Sequence, residues 1–366
     1  MTKPSLFQQI RADIRGFGFK QWFLLALNVT LLLAMAASIV GLRAVSGALD
    51  SVTAAERFRG GGELRFAQLA CFLPVGQGKE EKDIFTFRQG LEGKFVEQSL
   101  EAPENGSLYL DAYSGTAQVS VSAANGSSTV TAVGVDGDFF YFHPLQLRSG
   151  SYITGDDLMD DLVVLDEEMA WRLFGGIDLT GMTLNINGEP FVVSGVISRE
   201  DDFATKKAYS GEGGIFMSFS ALSRLVEGTT ISCYEIVMPD PISGYAKSVV
   251  EETFPVGEGD VVENSSRYSL GHMLEIIGSF GERSMRTNGV IYPYWENALR
   301  LTEDYAALLL ILSVLFAVCP CAFAVAIMVK YIRRACRRVK ETVPAKVEAA
   351  VEQRREREYN KHAGGE

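Results

Sequence analysis

The sequence predicts an α+β domain held by a membrane protein that crosses the bilayer twice. Two stretches without a charged side chain, residues 21–42 and 305–329, are long enough for helices that span a hydrocarbon core of roughly 30 Å. Strand-like and helix-like segments alternate irregularly between them, without the strict repeat of a doubly wound parallel sheet. We therefore expect one large mixed domain at 43–304, between the two spans.

Two other interpretations of the apolar stretches are less consistent with their length. Core helices of soluble proteins usually carry about 10–14 apolar residues, fewer than either stretch has. The first stretch also exceeds the apolar region of a signal peptide, and Ala34 and Ala36, which have the spacing of a cleavage site, lie inside it. We expect residues 21–42 to be an uncleaved anchor.

Charge predicts the orientation of the spans. The leader 1–20 has four basic residues and one acidic residue, and the tail 330–366 has eleven and six, whereas residues 43–304 have 19 basic and 39 acidic residues. The positive-inside rule puts both termini in the cytoplasm of a bacterial cell and the domain outside. The residues expected to anchor and orient the spans are Lys20, Trp22, Lys330, Arg333, Arg334, Arg337 and Arg338.

The first half of the domain shows clear turn signals. It predicts, in order, a helix at 44–59, a strand at 64–72, a helix at 82–100, and strands at 108–112, 117–122 and 128–135. Gly60 begins a run of three glycines that ends the first helix. Asn125-Gly126, between the last two strands, predicts a two-residue β-hairpin turn.

The second half continues the mixture of strands and helices. It predicts a strand at 162–165, a helix to Phe174, a hairpin of strands 182–186 and 191–197, a strand at 215–218, a helix at 220–226, a strand at 231–238, a helix at 244–254 and a strand at 260–263. Asp166 or Glu167 opens the helix that Gly175 stops. Residues 198–214 read as a loop, and 268–301 as mostly helical with interruptions.

Cysteines are few and offer two weak candidates for chemistry. Cys71 and Cys233 are the only pair in the exported domain, and the sequence does not decide whether they form a disulfide. Cys319-Pro320-Cys321 lies inside the second span, where two soft thiolates would suit Cu(I). The alternative is that Pro320 kinks the helix and that both cysteines are small apolar fillers.

No catalytic or cofactor-binding residue is predicted. The chain lacks a phosphate-binding loop, a nucleophile elbow and a histidine pair with metal-ligand spacing, so His143 reads as a packed side chain. The acidic residues that begin at Asp156 fail the calcium-loop pattern and read as a solvated turn. We expect neither enzymatic activity nor binding of a cofactor or of nucleic acid.

Three consecutive segments carry a resemblance. They are VTAVGVDGDFFYFHPLQLRSGSYIT at 130–154, DDLVVLDEEMAWRLFG at 160–175 and LTGMTLNINGEPFVVSGV at 179–196. This order resembles the periplasmic core domain of ABC transporter permeases of the MacB type, the macrolide-exporter family. The positions that carry the motif, with structural roles, are Gly134, Phe140, Leu147, Gly150, Ala170, Phe174, Gly175, Gly181, Gly188 and Gly195.

The resemblance implies an architecture and a function. It implies a two-lobed domain with a smaller lobe around 198–259. In relatives, cytoplasmic ATPases drive movements of the membrane helices that open and close the outer domain. These relatives commonly act as homodimers or heterodimers. Such permeases carry three more spans after this domain, whereas one span and a basic tail follow it here. We therefore expect an ABC ATPase subunit and a fuller permease subunit to act in trans, in addition to the lipid bilayer.

Two functions follow as hypotheses. The first is a non-catalytic, permease-like subunit of an ABC transporter complex, whose outer domain binds or gates an exported substrate or a partner. The alternative is a membrane-anchored extracytoplasmic sensor or scaffold without transport activity, which signals through the helix-compatible tail at 343–358. The basic run beside the second span serves either as a lipid anchor or as a docking surface for a cytoplasmic partner.

Overall fold

A computed structural model gives the fold of most of the chain. It describes residues 18–46, 50–100, 102, 106–155, 157, 159–209 and 212–363. The chain divides into two compact units, one comprising Met1–Leu42 with Leu309–Glu366 and the other Arg43–Leu308. Residues 1–17 of the predicted leader 1–20, and Asp156, lie outside the described residues.

Two long helices make up the described part of the first unit. Helix α1 covers Phe19–Ser46, and α10 covers Tyr294–Ala363, of which the part from Leu309 onward belongs here. Both helices are long and apolar enough to cross a membrane. Their polar side chains bond to the backbone of their own helix: Asn28 Nδ2 donates to the Leu24 carbonyl at 2.7 Å, and Ser313 Oγ to that of Leu309 at 2.7 Å. These bonds lower the cost of placing polar groups in lipid.

A ten-stranded mixed sheet forms the frame of the second unit. Its strands are β1 Phe66–Phe72, β2 Leu110–Ala123, β3 Gly126–Gly137, β4 Leu147–Gly150, β5 Leu162–Asp166, β6 Thr183–Ile186, β7 Glu189–Ile197, β8 Glu212–Ser218, β9 Cys233–Pro239 and β10 Asp260–Glu263. The order across the sheet is β10-β1-β9-β2-β3-β8-β5-β7-β4, and β6 pairs with β2 and β7. The β3–β8 and β5–β7 pairs are parallel and the others antiparallel.

Seven short helices and the start of α10 pack around this sheet among the described residues of the second unit. These seven are α2 Ala54–Arg59, α3 Glu81–Glu97, α4 Phe139–Phe142, α5 Glu167–Phe174, α6 Phe203–Ala208, α7 Phe219–Leu225 and α8 Tyr245–Thr253. One more short helix, α9 Leu270–Ile276, comes between α8 and α10 in the chain. One core lies under α3 and α8, a second under α5 and α7, and a third contains α2, α4 and the first turns of α10. Burial of apolar area in these cores supplies most of the driving force for folding.

Much of the predicted element order is confirmed. The Asn125-Gly126 hairpin joins β2 to β3, with Ala123 paired to Gly126. Asp166 caps α5, where its Oδ1 accepts from Met169 N at 2.7 Å, and Gly175 ends the helix in the left-handed region at φ 79°. The fold class is the expected one, a large mixed α/β domain between two apolar helices.

Four local predictions were wrong. Strands 108–112 and 117–122 are one strand, β2, because its ladder with β3 is continuous through Gly115. The loop 198–214 contains α6, which Asp202 caps by accepting from the amides of Ala204 and Thr205 at 2.9 and 3.0 Å. The helix predicted at 44–59 is divided, since α2 begins only at Ala54. Residues 268–301 hold α9, a 3₁₀ turn at Ile277–Ser279 and the start of α10, with a non-helical segment at 280–293 before α10.

The region predicted as a smaller lobe contributes to the main sheet. Strands β8 and β9 come from residues 198–259 and lie in the middle of the strand order. A boundary between lobes at 198 and 259 therefore stays a prediction.

Gly150 allows a close approach that provides a test of the fold. Its φ is +75°, and a Cβ added there would lie 2.0 Å from the Ser194 carbonyl oxygen, so Gly150→Ala should lower the free energy of unfolding by about 2 kcal/mol or more. Gly176 has nothing within 4 Å of an added Cβ, and Gly176→Ala should stay within about 0.5 kcal/mol. Thermal unfolding of the detergent-solubilised chain measures both. Equal melting temperatures for the two variants would contradict the assigned packing.

Candidate functional site

The first three turns of α10 are buried inside the domain. Every residue from 294 to 304 is buried, although the apolar run of the span begins only at Tyr305. Glu296, Arg300 and Glu303 are spaced by four and three residues, so they share one face of the helix. This part of α10, residues 294–304, is called the stalk below.

A fully buried arginine joins the stalk to the segment that follows β10. Arg267 is 1% exposed, and its Nη1 donates to Glu303 Oε1 at 2.7 Å. Its Nη2 donates to Glu296 Oε2, and its Nε to Asn264 Oδ1 at 2.7 Å. All three guanidinium nitrogens therefore bond to acceptors, and two of the bonds reach carboxylates that lie about two turns apart on one helix.

Two further arginines extend the network. Arg300 Nε donates to Glu296 Oε1 at 2.6 Å, and its guanidinium lies 3.7 Å from the centre of the Tyr292 ring. Arg283 Nη2 donates to Glu303 Oε2 at 2.5 Å. Both oxygens of Glu296 and both oxygens of Glu303 thus accept from arginines. We call this network, of Arg267, Arg283 and Arg300 with Glu296 and Glu303, the stalk junction.

Backbone groups next to the junction are also tied to the stalk. Gly281 N donates to Asp304 Oδ2 at 3.2 Å, and Met285 N donates to Asn297 Oδ1 at 2.7 Å. Asn297 Nδ2 in turn donates to the Tyr292 carbonyl at 2.9 Å. The chain from α9 to α10 is therefore attached to the stalk along its length.

A second side of the stalk packs on aromatic groups of the third core. The Trp295 ring lies 5.4 Å from the ring of Phe139 and 4.8 Å from that of His143. His143 Nε2 is 2.6 Å from Glu235 Oε2 on β9, and both side chains are 4% exposed. His143 is therefore a buried, hydrogen-bonded side chain under the stalk.

Electrostatics makes the junction sensitive to the loss of one member. Burial by itself would lower the pKa of Arg267, but the charges of Glu296 and Glu303 raise that pKa above its ordinary value. The guanidinium is therefore charged at every physiological pH. A buried ion pair contributes little net stability over an apolar replacement, whereas the loss of one partner leaves an uncompensated buried charge.

The predicted chemical candidates lie apart from the junction. All five cysteines are in the described part of the chain and are free thiols. Cys71 and Cys233 are buried in neighbouring strands, and burial raises the pKa of the Cys71 thiol well above its ordinary value. Helix α10 runs through Pro320, and Cys319 and Cys321 are exposed on it. Residues two positions apart on a helix are rotated by about 200° about its axis, so these two side chains point to opposite sides.

The predicted anchoring residues lie at helix positions beside the apolar runs. Lys20 and Trp22 are exposed in the first turn of α1. Lys330, Arg333, Arg334 and Arg337 are exposed along one face of α10, and the side chain of Arg338 lies outside the described part. Their role in orienting the chain stays a prediction.

The motif residues occupy turns and close contacts of the sheet. Gly134 lies on β3 under α7, and an added Cβ would be 2.8 Å from Leu222 Cδ2. Gly195 on β7 pairs with Gly150 on β4. The Phe140 ring stacks on the Tyr152 ring, with 4.6 Å between the ring centres. The remaining positions serve the β4, α5 and β6–β7 region: Leu147 on β4, Ala170 and Phe174 on α5, Gly175 at its end, and Gly181 and Gly188 at turns with positive φ.

No local pattern in the sequence identifies the junction. Glu296, Arg300 and Glu303 stand on one helix face immediately before an apolar run. Charged side chains on a helix usually face water, so this pattern predicts an exposed face. Their partner Arg267 is 29 residues from Glu296, and only the fold brings the two together.

A comparison with family models identifies the domain. Residues 29–243, more than half of the chain, match the model described as the MacB-like periplasmic core domain. The chain belongs to the MacB-like periplasmic core domain family. The match ends before Arg267, so the stalk junction lies outside the matched residues.

Solved structures include several with similar chains, and a comparison with curated proteins found no match. The extracellular domain of the noncanonic ABC-type transporter YknZ from Gram-positive bacteria is 16% identical, with a TM-score of 0.36, over 52% of this chain and 90% of that one. The periplasmic region of MacB from Actinobacillus actinomycetemcomitans is 18% identical, with a TM-score of 0.39, over 58% and 95%. A domain of a putative permease protein from Porphyromonas gingivalis is 13% identical, with a TM-score of 0.31, over 58% and 96%.

Family membership and the two apolar helices together define the broad topology. The MacB-like core domain is a periplasmic module, and here it lies in the chain between helices that are able to cross a membrane. The protein is therefore a two-pass membrane protein with an extracytoplasmic MacB-like domain.

The junction predicts a large difference between two arginine substitutions. Arg267→Met leaves Glu296 and Glu303 short of a buried partner and should lower the free energy of unfolding by about 3–5 kcal/mol. The matched control is Arg224→Met, because Arg224 is 51% exposed and lies 3.4 Å from Glu189, an exposed pair worth about 0–1 kcal/mol. Thermal unfolding in detergent measures both changes. A melting temperature for Arg267→Met as high as that of the control would contradict the buried network.

Proposed function

We propose that this chain is a permease-like, non-catalytic subunit of an ABC transporter complex of the mechanotransmission type. Its MacB-like domain binds or gates an exported substrate or a partner protein. An ABC ATPase and a fuller permease subunit act with it in trans, and the chain pairs with a copy of itself or with that permease.

The stalk junction is the observation that carries this proposal. A mechanical subunit needs a stiff connection between its membrane helix and its outer domain. Here the helix that continues into the second apolar run is held by Arg267 on one side and by the packing of Trp295 on the other. A displacement of the stalk would therefore reach the β-sheet without being absorbed by a flexible linker.

The membership of the family supports the transport context. The solved relatives named above include the extracellular domain of an ABC-type transporter and the periplasmic region of MacB. We propose that the present chain uses its own domain in a membrane transport complex as well.

The alternative is a sensor or scaffold that signals through residues 343–358, which lie within helix α10.

Co-purification distinguishes the two functions. A tagged chain, solubilised in mild detergent from its native membranes, should recover an ABC ATPase subunit and a fuller permease. Arg267→Met should keep these subunits but lower the ATP hydrolysis that depends on the complex, because the stalk is loosened. Recovery of a kinase or regulator through residues 343–358, with no ATPase, would support the sensor and contradict the proposal.

Both termini are proposed to lie in the cytoplasm, which accessibility of cysteines tests. A membrane-impermeant maleimide should label Gln89→Cys, on the exposed side of α3, in intact cells. It should label Cys336, which follows the second apolar run, only after the cells are opened. The buried Cys71 and Cys233 provide the unreactive background. Labelling of Cys336 in intact cells would reverse the orientation.

A further inference from the structure

An apolar stripe is exposed beside the stalk. In α9 and the turn after it, Leu270 is 63% exposed, Leu274 is 58%, Ile277 is 39% and Phe280 is 49%. The first three are spaced by four and three residues, so they lie on one side of the helical segment. Met273 and Ile276, between them in the sequence, are buried and hold the segment on the domain. The stripe therefore faces away from the core.

The stripe is held at the level where the apolar run begins. His272 Nε2 lies 3.6 Å from Glu303 Oε1, and Gly281 N donates to Asp304 Oδ2 at 3.2 Å. Glu303 and Asp304 immediately precede Tyr305, the first residue of the apolar run, and a helix rises by about 1.5 Å per residue. One contact from within the stripe and one directly after it thus hold this segment beside the last residues of the stalk, next to Tyr305.

A second exposed side chain reaches the same level from another element. Phe203, at the start of α6, is 66% exposed, and its ring lies 5.4 Å from that of Tyr305. Three consecutive helix residues, 303 to 305, cover about 200° of the helix circumference. Phe203 therefore stands on a different side of α10 from the stripe.

We propose that Phe203, Leu270, Leu274, Ile277 and Phe280 form an apolar collar that inserts into the outer leaflet of the bilayer around the second span. The side chains lie where the chain itself passes from polar to apolar residues, and lipid is the apolar phase that meets α10 at this point. In water these apolar side chains would stay exposed to solvent. The boundary between headgroups and acyl chains, by contrast, buries such side chains to a depth of about 5–10 Å. The collar gives the domain additional attachments to the membrane besides its two helices.

Fluorescence quenching by brominated lipids tests the collar. The full chain with Trp22→Phe is placed in nanodiscs, one copy per disc, so that Trp171 and Trp295 are its remaining tryptophans. Leu274→Trp and Phe203→Trp are each added to this background. The matched control is Phe85→Trp, because Phe85 is 62% exposed on α3, a helix that packs over β1 and β9.

Lipids brominated in the upper part of their acyl chains should quench the fluorescence added at positions 274 and 203 by about half, since an interfacial side chain lies within reach of these carbons. The fluorescence added at position 85 should be unchanged. Quenching at 274 and 203 that does not exceed the control would overturn the proposal. So would a blue-shifted, unquenched emission at these positions, which would show that protein rather than lipid covers them.

Discussion

The architecture depends on how the charge of Arg267 is compensated. A guanidinium that is 1% exposed is tolerated because two carboxylates of the stalk and an asparagine accept from its nitrogens. Moving an ion from water into protein costs several kcal/mol, so the arrangement is stable only when all partners are in place. The attachment of the stalk is therefore close to all-or-none: withdrawing the helix would separate Glu296 and Glu303 from Arg267 at once.

The two sides of the stalk act together. Its ionic side fixes the position of the helix along its axis, because each carboxylate has a directional set of donors. Its aromatic side, centred on Trp295, supplies apolar contact area in the same core that holds the strands next to it. A stalk held in both ways behaves as part of the sheet domain. This rigidity is the property that the proposed transmission of movement requires, and a flexible linker at the same place would abolish it.

Local sequence patterns predicted many of the secondary-structure elements, but they did not predict which distant side chains come into contact. The Asn125-Gly126 turn, the Asp166 cap and the Gly175 stop were predictable because their signals involve residues a few positions apart. The Asp202 cap had the same local character, but the polar stretch around it favoured a loop. The stalk junction could not be predicted, because its charges on one helix face indicate exposure until Arg267 is known to cover them. Long-range pairing of this kind follows from the strand order, which single-sequence patterns do not determine.

Hydrogen exchange of the full chain in nanodiscs tests the rigid stalk most directly. We predict that the backbone amides of residues 294–304 exchange as slowly as those of β9, Cys233–Pro239, although the stalk stands outside the apolar run. We also predict that Arg267→Met lowers the protection of 294–304 much more than that of β9. Rapid exchange of the stalk in the unaltered protein, or equal loss of protection in both segments, would show that Arg267 does not hold the stalk rigidly on the domain.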